Sequence, residues 1–384
     1  MEEALTKERD GTVRVICLSD LYIGRPMPIL RQNAEESRRE EVKNAFCALL
    51  SHVDEIGAQI VIFGGNLVDK AYFTNETMTF LSRAFAERAG CSFIITPGPE
   101  DYFEKNGFWR SKRWPKNVHI FSDEVLGSIH LYDLRVTVYG WGYRGRTCTV
   151  SPFLGNHSTP KGHLSILCGR TDLLGEDSEN SPVTEEALAA FGADYIALSG
   201  GRHDGFKMIG NSVYAYSGAF QSKAFDGDEG GGYVEVTAVP GASGWSLSYE
   251  RREAGTYRYA ECVLDVSHAS GSAQVLDRIH ALLRKKGYDE KTAVHLRLTG
   301  SVSPDTVLYG WDTAAPGVYA LRVTDETLPL DGAEHLLHEM TAAGELYRHF
   351  YAAMTGGTEE EKREAARAFR VGYAALRGKD FARF

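Results

Sequence analysis

The sequence lacks the features of a membrane or secreted protein. Its 384 residues contain no run that approaches the ~18 apolar residues of a membrane-spanning helix. The N-terminal stretch MEEALTKERDGTVRVICLSD has no basic region that leads into an apolar segment, as a secretory leader would. These absences predict a cytoplasmic protein that has no membrane association.

Clustered cysteines and an excess of basic residues are also missing. The six cysteines are scattered and form no CxxC pair, which argues against both a disulfide framework and a zinc ribbon and favours reduced thiols. Lys and Arg number 42 against 52 Asp and Glu, a net charge of −10. A protein coated in nucleic acid is therefore excluded, although one local basic groove is not.

The patterns that are present predict an α/β protein with more than one domain. Short apolar runs at 13–18, 60–63 and 92–96 end in polar or glycine-rich turns, and amphipathic segments separate them. From about residue 260 a βαββ pattern begins, and helical spacing continues to the C-terminus. We predict a layered α/β domain over 1–259, a small βαββ domain over 260–327 and a helical tail over 328–384.

Polar turns follow five of the predicted strands, at 19–22, 65–69, 98–101, 167–170 and 199–203. Reactive groups of open α/β sheets lie at such carboxyl ends. These turns, with IVIFGGNLVDK, FIITPGPEDYF, DYIALSGGRHDGF and YAYSGAF, resemble the calcineurin-like metallophosphoesterases, and most closely the SbcD-type DNA repair exonucleases with their YhaO-like bacterial branch. The resemblance covers about residues 12–325, and it implies that the βαββ unit is a capping domain.

The resemblance also implies a two-metal site, but most of its ligands are replaced. The first turn keeps the aspartate of the family motif as Asp20, but Tyr22 occupies the position of the family's histidine. In the second turn, which corresponds to GDxxD, Asn66 occupies the position of the bridging aspartate, and Asp69 matches the last aspartate. An asparagine cannot offset the repulsion between two cations as a carboxylate does.

The later turns are altered as well. At the position of the family's GNHD motif, this sequence has Gly98-Pro99-Glu100-Asp101. Cys168 occupies the position of a family histidine. At the position of the GHxH motif, the sequence is Gly200-Gly201-Arg202-His203. Glu100 is a candidate acid if burial raises its pKa, and is otherwise a solvated turn residue. Cys168 is either a soft-metal ligand or a small buried side chain.

We expect no cofactor, or at most one weakly held divalent metal ion. Its ligands would be Asp20, Asn66 and His203; alternatively these residues hydrogen-bond to one another. Six further residues are expected in the same pocket: Tyr22, Asp69, Asp101, Cys168, Arg170 and Arg202.

One stretch, FWRSKRWPK at 108–116, combines basic residues with aromatic ones. This composition is used to bind single-stranded nucleic acid by stacking and charge. The candidates are Trp109, Arg110, Lys112, Arg113 and Trp114; the alternative is a solvated loop whose tryptophans fold inward.

The departures predict a degenerate homologue that is not an active two-metal nuclease. The family resemblance implies a structural or regulatory subunit that binds DNA or an SMC-like coiled-coil ATPase, and residues 331–384 are the expected docking segment. Two alternatives stay open: a single-metal phosphoesterase, and a binder of a phosphate ligand. A homodimer is also left open.

Overall fold

The computed structural model describes residues 11–26, 35–153, 158–173, 178–201, 203–221, 231–242, 244–254, 257–306, 308 and 317–378. The described chain divides into two compact units, one up to residue 254 and one from Tyr257 onward. Within these residues, no helix is both long enough and apolar enough to cross a bilayer.

The first unit is built from two six-stranded sheets. Its strands are β1 Val13–Leu18, β2 Ile60–Phe63, β3 Ser92–Ile95, β4 Val118–Ile120, β5 Gly127–Leu131, β6 Val136–Gly140, β7 Leu164–Arg170, β8 Tyr195–Ser199, β9 Lys207–Ile209, β10 Ser212–Tyr216, β11 Gly232–Gly241 and β12 Gly244–Glu253. The first sheet has the order β12-β11-β1-β2-β3-β4, and the second has the order β5-β6-β7-β8-β10-β9. Strands β1 to β4 run parallel, as do β6, β7, β8 and β10.

Three helices cover the outer faces of these sheets: α1 Glu35–Ile56, α2 Asn75–Ala86 and α3 Glu185–Phe191. Phe46 of α1 and Phe85 of α2 pack on the outer face of the first sheet, and Leu188 of α3 packs on that of the second. Between the sheets, Val15 and Ile62 share one buried cluster with Ile166. The result is a four-layer α/β/β/α arrangement, which confirms the predicted α/β class.

One predicted turn is wrong. Residues 167–170 were expected in a turn, but they belong to β7, which pairs with β6 as far as Cys168 and with β8 as far as Arg170. Beyond Cys168 the ladder continues because β8 still pairs with β7 and satisfies its backbone groups. This extension moves Arg170 to the end of a strand.

The second unit contains the predicted βαββ pattern followed by two helices. Its elements are β13 Arg258–Asp265, α4 Ser272–Lys285, β14 Thr292–Thr299, β15 Ala320–Asp325, α5 Ala342–Gly356 and α6 Glu359–Leu376. The three strands form a parallel sheet in chain order. Val275, Ile279 and Leu283 of α4 enter its core. The predicted boundary at residue 328 falls inside this unit and stays a prediction.

The two terminal helices pack on each other and contact the end of β15. Tyr347 of α5 and Phe369 of α6 meet with their rings 5.3 Å apart. Arg370, which is 8% exposed, donates to the carboxylate of Asp325 and to the hydroxyl of Thr327. A buried ion pair therefore joins α6 to the sheet of its own unit.

We expect Arg370→Ala to lower the free energy of unfolding of the second unit by about 3 kcal/mol, because Asp325 loses its partner in a partly buried position. Lys362→Ala is the matched control on the same helix, since Lys362 pairs with the exposed Glu359 one turn away. Urea unfolding followed by circular dichroism measures both variants. Equal midpoints for the two would show that the pair does not anchor α6.

Candidate functional site

The site is formed where the parallel strands of both sheets end. Backbone hydrogen bonds join the first turn to the second beyond the ends of β1 and β2. The amide of Asp20 donates to the carbonyl of Gly65 over 3.0 Å, and that of Tyr22 donates to the carbonyl of Asn66 over 3.0 Å. The strand ends therefore bring the motif residues of these turns together without a ligand.

Three of these motif residues have left-handed backbone conformations. The φ angles of Asp20, Tyr22 and Asn66 are 60°, 54° and 55°. Non-glycine residues adopt this region rarely, at a cost on the order of 1 kcal/mol each, and such residues cluster at functional sites. Gly65 precedes Asn66, and a Cβ at this glycine would lie 3.0 Å from the Cα of Gly98.

The amide side chain of Asn66 is held in one orientation. Its Oδ1 accepts from the backbone N–H of Glu100 over 2.9 Å. Its Nδ2 donates over 2.8 Å to Asp20 Oδ1 and over 2.8 Å to Tyr22 Oη. The side chain in the place of the bridging aspartate therefore turns its donor end, and not its oxygen, toward Asp20. This confirms that Asp20 and Asn66 hydrogen-bond to each other.

Arg170 supplies the cation that contacts Asp20. Its Nη1 lies 3.2 Å from Asp20 Oδ1 and 3.3 Å from Oδ2. The two side chains are only 15% and 8% exposed. Burial acts to lower the pKa of Arg170, and the charge of Asp20 acts against it and raises that pKa above its usual value. Burial and the same carboxylate raise the pKa of Tyr22, which keeps its hydroxyl protonated.

The carboxylate of Asp101, the last residue of the third motif, accepts hydrogen bonds from backbone amides. Its Oδ1 accepts from the amides of Gly98 over 2.7 Å and Asn66 over 2.9 Å, and its Oδ2 accepts from that of Leu67 over 2.8 Å. Burial raises the pKa of Asp101 to about 7, although these amides act in the opposite direction. The carboxyl group ties the second turn to the third.

Asp69 also has a structural role. Its Oδ1 accepts from the amide of Ala71 over 2.8 Å, and its Oδ2 lies 3.4 Å from Arg25 Nε. The guanidinium of Arg25 lies 4.9 Å from the centre of the Tyr22 ring.

Cys168 and His203 have different surroundings. Cys168 is fully buried in the cluster between the sheets, and burial raises the pKa of its thiol well above its usual value. This placement fits the interpretation of a small buried residue. His203 donates from Nδ1 to the carbonyl of Tyr216 over 2.7 Å. A histidine at Gly201 would not fit without rearrangement, because its Cβ would lie 2.7 Å from the Tyr216 ring.

Glu100 lies at the outer edge of the site. Its carboxylate is 28% exposed and lies 3.7 Å from the guanidinium of Arg146, and its proposed role as an acid stays a prediction. Arg202 lies outside the described residues.

The donor set does not fit a pair of divalent cations. In the parts of the chain that the structure describes, no three His, Cys, Asp or Glu side chains are grouped as metal ligands. Asp20 is neutralised by a guanidinium, and Asn66 presents an N–H group to it. The single-ion set of Asp20, Asn66 and His203 stays a prediction.

The aromatic and basic stretch is arranged differently from the stacking prediction. Trp109 is 3% exposed and Trp114 packs on the same core cluster, so neither ring is presented to solvent as a stacking platform. Arg110, Lys112 and Arg113 are exposed. The inward-folded alternative for the tryptophans is therefore the correct one.

The Asp20–Arg170 pair was not predicted from the sequence. Arg170 was expected only as one of several pocket residues, because the distance of 150 residues between the partners hides their contact. The available signal was an arginine two positions after the replaced histidine of the fourth motif.

We expect Asp20 and Arg170 to be strongly coupled. Arg170→Met and Asp20→Asn should each lower the free energy of unfolding by about 3 kcal/mol, since each leaves one charge buried alone. The double variant should recover most of that loss. Chemical unfolding of all four proteins measures the coupling, and strictly additive losses would contradict a direct ion pair.

Comparison with known proteins finds similarity to a metallophosphoesterase. No protein-family model matches the chain. The chain is 27% identical over 305 residues to the "Uncharacterized metallophosphoesterase YhaO" of Bacillus subtilis (strain 168), a match that covers 74% of this chain and 68% of that protein.

Two solved structures are also similar. The protein TT1561 of Thermus thermophilus shares 12% identity at a TM-score of 0.36, with 62% of this chain and 98% of that chain covered. An archaeal phosphodiesterase shares 10% identity at a TM-score of 0.32, with 62% and 100% covered. The chain is therefore similar to a metallophosphoesterase over most of its length, and its four-layer architecture with motif turns at the strand ends is consistent with a metallophosphoesterase-type fold.

Proposed function

We propose that this protein is a catalytically degenerate SbcD/YhaO-like nuclease homologue that acts as a structural, DNA-binding or regulatory subunit. The similarity to a metallophosphoesterase supports the general class. The observation that carries the proposal is the buried contact between Arg170 and Asp20, the one residue of the first motif that could hold a metal.

The charge of Arg170 is permanent. A guanidinium is not deprotonated in a protein, so it cannot give way to a metal by losing its proton. A divalent ion that bound Asp20 would meet this positive charge within a few ångströms, in surroundings that screen charge poorly. The carboxylate would then have to offset three positive charges with one negative charge.

Asn66 adds a second obstacle. A two-metal phosphoesterase uses a carboxylate to bridge its ions and positions the attacking hydroxide between them. Here the amide offers its N–H group to Asp20, and its only oxygen already accepts from Glu100. Rotation of the amide would break all three of its hydrogen bonds.

The shape of the site is nevertheless retained. Asp101 still ties the second and third turns together, and the three left-handed motif residues keep their conformations. Strained turns of this kind persist only where surrounding contacts hold them. A framework without its catalytic groups is suited to binding and assembly.

The proposed partner is a coiled-coil ATPase that docks on residues 331–384. Three large apolar side chains of this segment are exposed: Met340 by 96%, Leu376 by 52% and Tyr351 by 36%. Tyr351 lies on α5 and Leu376 is the last residue of α6, whereas Met340 precedes α5. Exposed apolar positions on and beside a helical pair are suited to a partner helix.

One observation favours the alternative of a single-metal phosphoesterase. His203 donates its Nδ1 proton to the carbonyl of Tyr216, and a histidine oriented in this way has its Nε2 free to act as a metal ligand. This alternative needs Arg170 to leave Asp20.

We expect no metal-dependent hydrolysis above buffer background. The assay uses bis(p-nitrophenyl) phosphate and end-labelled single- and double-stranded DNA, with Mn²⁺ or Zn²⁺ titrated to excess. Asp20→Ala and His203→Ala serve as controls for contaminating nuclease. Dose-dependent cleavage that both variants lose would establish the single-metal alternative, and cleavage lost only in Asp20→Ala would equally refute the proposal.

A further inference from the structure

The segment from 102 to 117, the basic loop, connects the Asp101 turn to β4 and is fixed to the body by its aromatic residues. The indole N–H of Trp109 donates to the carbonyl of Asp101, and that of Trp114 donates to the carbonyl of Phe108 over 2.9 Å. The rings of Phe108 and Phe73 stack with their centres 4.1 Å apart. The loop therefore has a defined surface.

The far end of the basic loop is fixed by a single amide. Asn117 Nδ2 lies within 3.0 Å of three carbonyl oxygens. The carbonyl of Phe85 belongs to the last turn of α2, and those of Arg88 and Cys91 follow the helix. These contacts satisfy acceptors that a helix end leaves open. Both ends of the loop are thus held by buried or half-buried side chains.

After Glu104, every charged residue of the basic loop is a lysine or an arginine. Five are exposed: Lys105, Arg110, Lys112, Arg113 and Lys116. Arg113 contacts the neutral oxygens of Asn75 and Thr79, so its charge is not compensated. The surface is locally basic in a protein whose net charge is −10.

Several other basic side chains of this unit are paired with carboxylates. Arg83 lies 2.8 Å from Glu87, Arg88 lies 2.7 Å from Asp54, and Lys70 contacts Glu104. Within the described residues, no carboxylate lies at ion-pair distance from the five cations of the basic loop. Uncompensated positive charge at a fixed surface is the electrostatic mark of a polyanion site.

We propose that the basic loop binds the phosphate backbone of nucleic acid through charge alone, without base stacking. This inference rests on the DNA-binding role proposed above and assigns that role to one surface. It replaces the stacking mechanism expected from the composition, because Trp109 and Trp114 are used to hold the loop in place.

The basic loop exposes no large apolar side chain, and this favours nucleic acid over a membrane or a protein as its partner. The structure describes every residue from 102 to 117, and no large apolar side chain among them is exposed. A membrane-binding surface pairs its basic residues with apolar ones that enter the lipid. A protein interface is centred on buried aromatic or apolar anchors. Contacts to phosphate need neither, and they position a nucleic acid without reading its sequence.

The test measures binding of fluorescein-labelled duplex and single-stranded DNA by anisotropy, in EDTA so that no strand is cut. In Arg110→Ala/Lys112→Ala/Lys116→Ala, we expect affinity for duplex to fall about tenfold or more at low salt. The slope of log K against log salt should become shallower by about 3, one for each phosphate contact removed. Arg113 is kept because it contacts α2.

The matched control removes the same charge elsewhere. Arg284, Lys285 and Lys286 are exposed at the end of α4, and Arg284→Ala/Lys285→Ala/Lys286→Ala should bind duplex as the unaltered protein does. Equal weakening by both triple variants would show that net charge, and not the basic loop, governs binding. Thermal melting of each variant checks that its fold is retained.

Three further outcomes would overturn the inference. One is quenching of tryptophan fluorescence by oligo(dT), which would show stacking. Another is binding of poly-glutamate but not of DNA, which would point to an acidic protein partner. The last is no binding of any nucleic acid by the unaltered protein. None of these results bears on the absence of hydrolysis, so the degenerate-site proposal is tested separately.

Discussion

The Asp20 carboxylate and the Arg170 guanidinium meet inside the protein, and the rest of the site is arranged around that contact. Arg170 reaches Asp20 from the end of β7 in the second sheet, so the ion pair joins the two sheets at their carboxyl edge. An internal cation gives the buried carboxylate a partner in every condition in which the protein is folded. Asn66 and Tyr22 complete the network with neutral hydrogen bonds.

The turns at this edge are held together by the protein's own groups. The left-handed backbone of Asp20, Tyr22 and Asn66 and the amides that surround Asp101 form one hydrogen-bonded frame. Asn66 donates to both Asp20 and Tyr22. A stable surface of this kind suits the proposed role in assembly or recognition.

Charge is distributed unevenly over the first unit. Many of its basic side chains are paired with nearby carboxylates, whereas the basic loop has five exposed cations without such partners, on a surface that buried aromatic side chains hold in place. The net charge of −10 describes the whole protein and does not reveal this local excess of positive charge. Electrostatic attraction is screened over about 8 Å in physiological salt, so a local cluster can bind a polyanion despite the negative net charge of the protein.

The sequence by itself determined the α/β class and the boundaries of the first strands, because hydrophobic periodicity is a local pattern. The strands at 13–18 and 60–63 have the bounds expected from their apolar runs. Only the tertiary structure decided that Arg170 contacts Asp20, that Asn66 turns its N–H group inward and that Trp109 is buried. Each of these depends on which strands are neighbours and which side of a loop faces the core. Those relations join residues far apart in the chain, and no local pattern of residues encodes them.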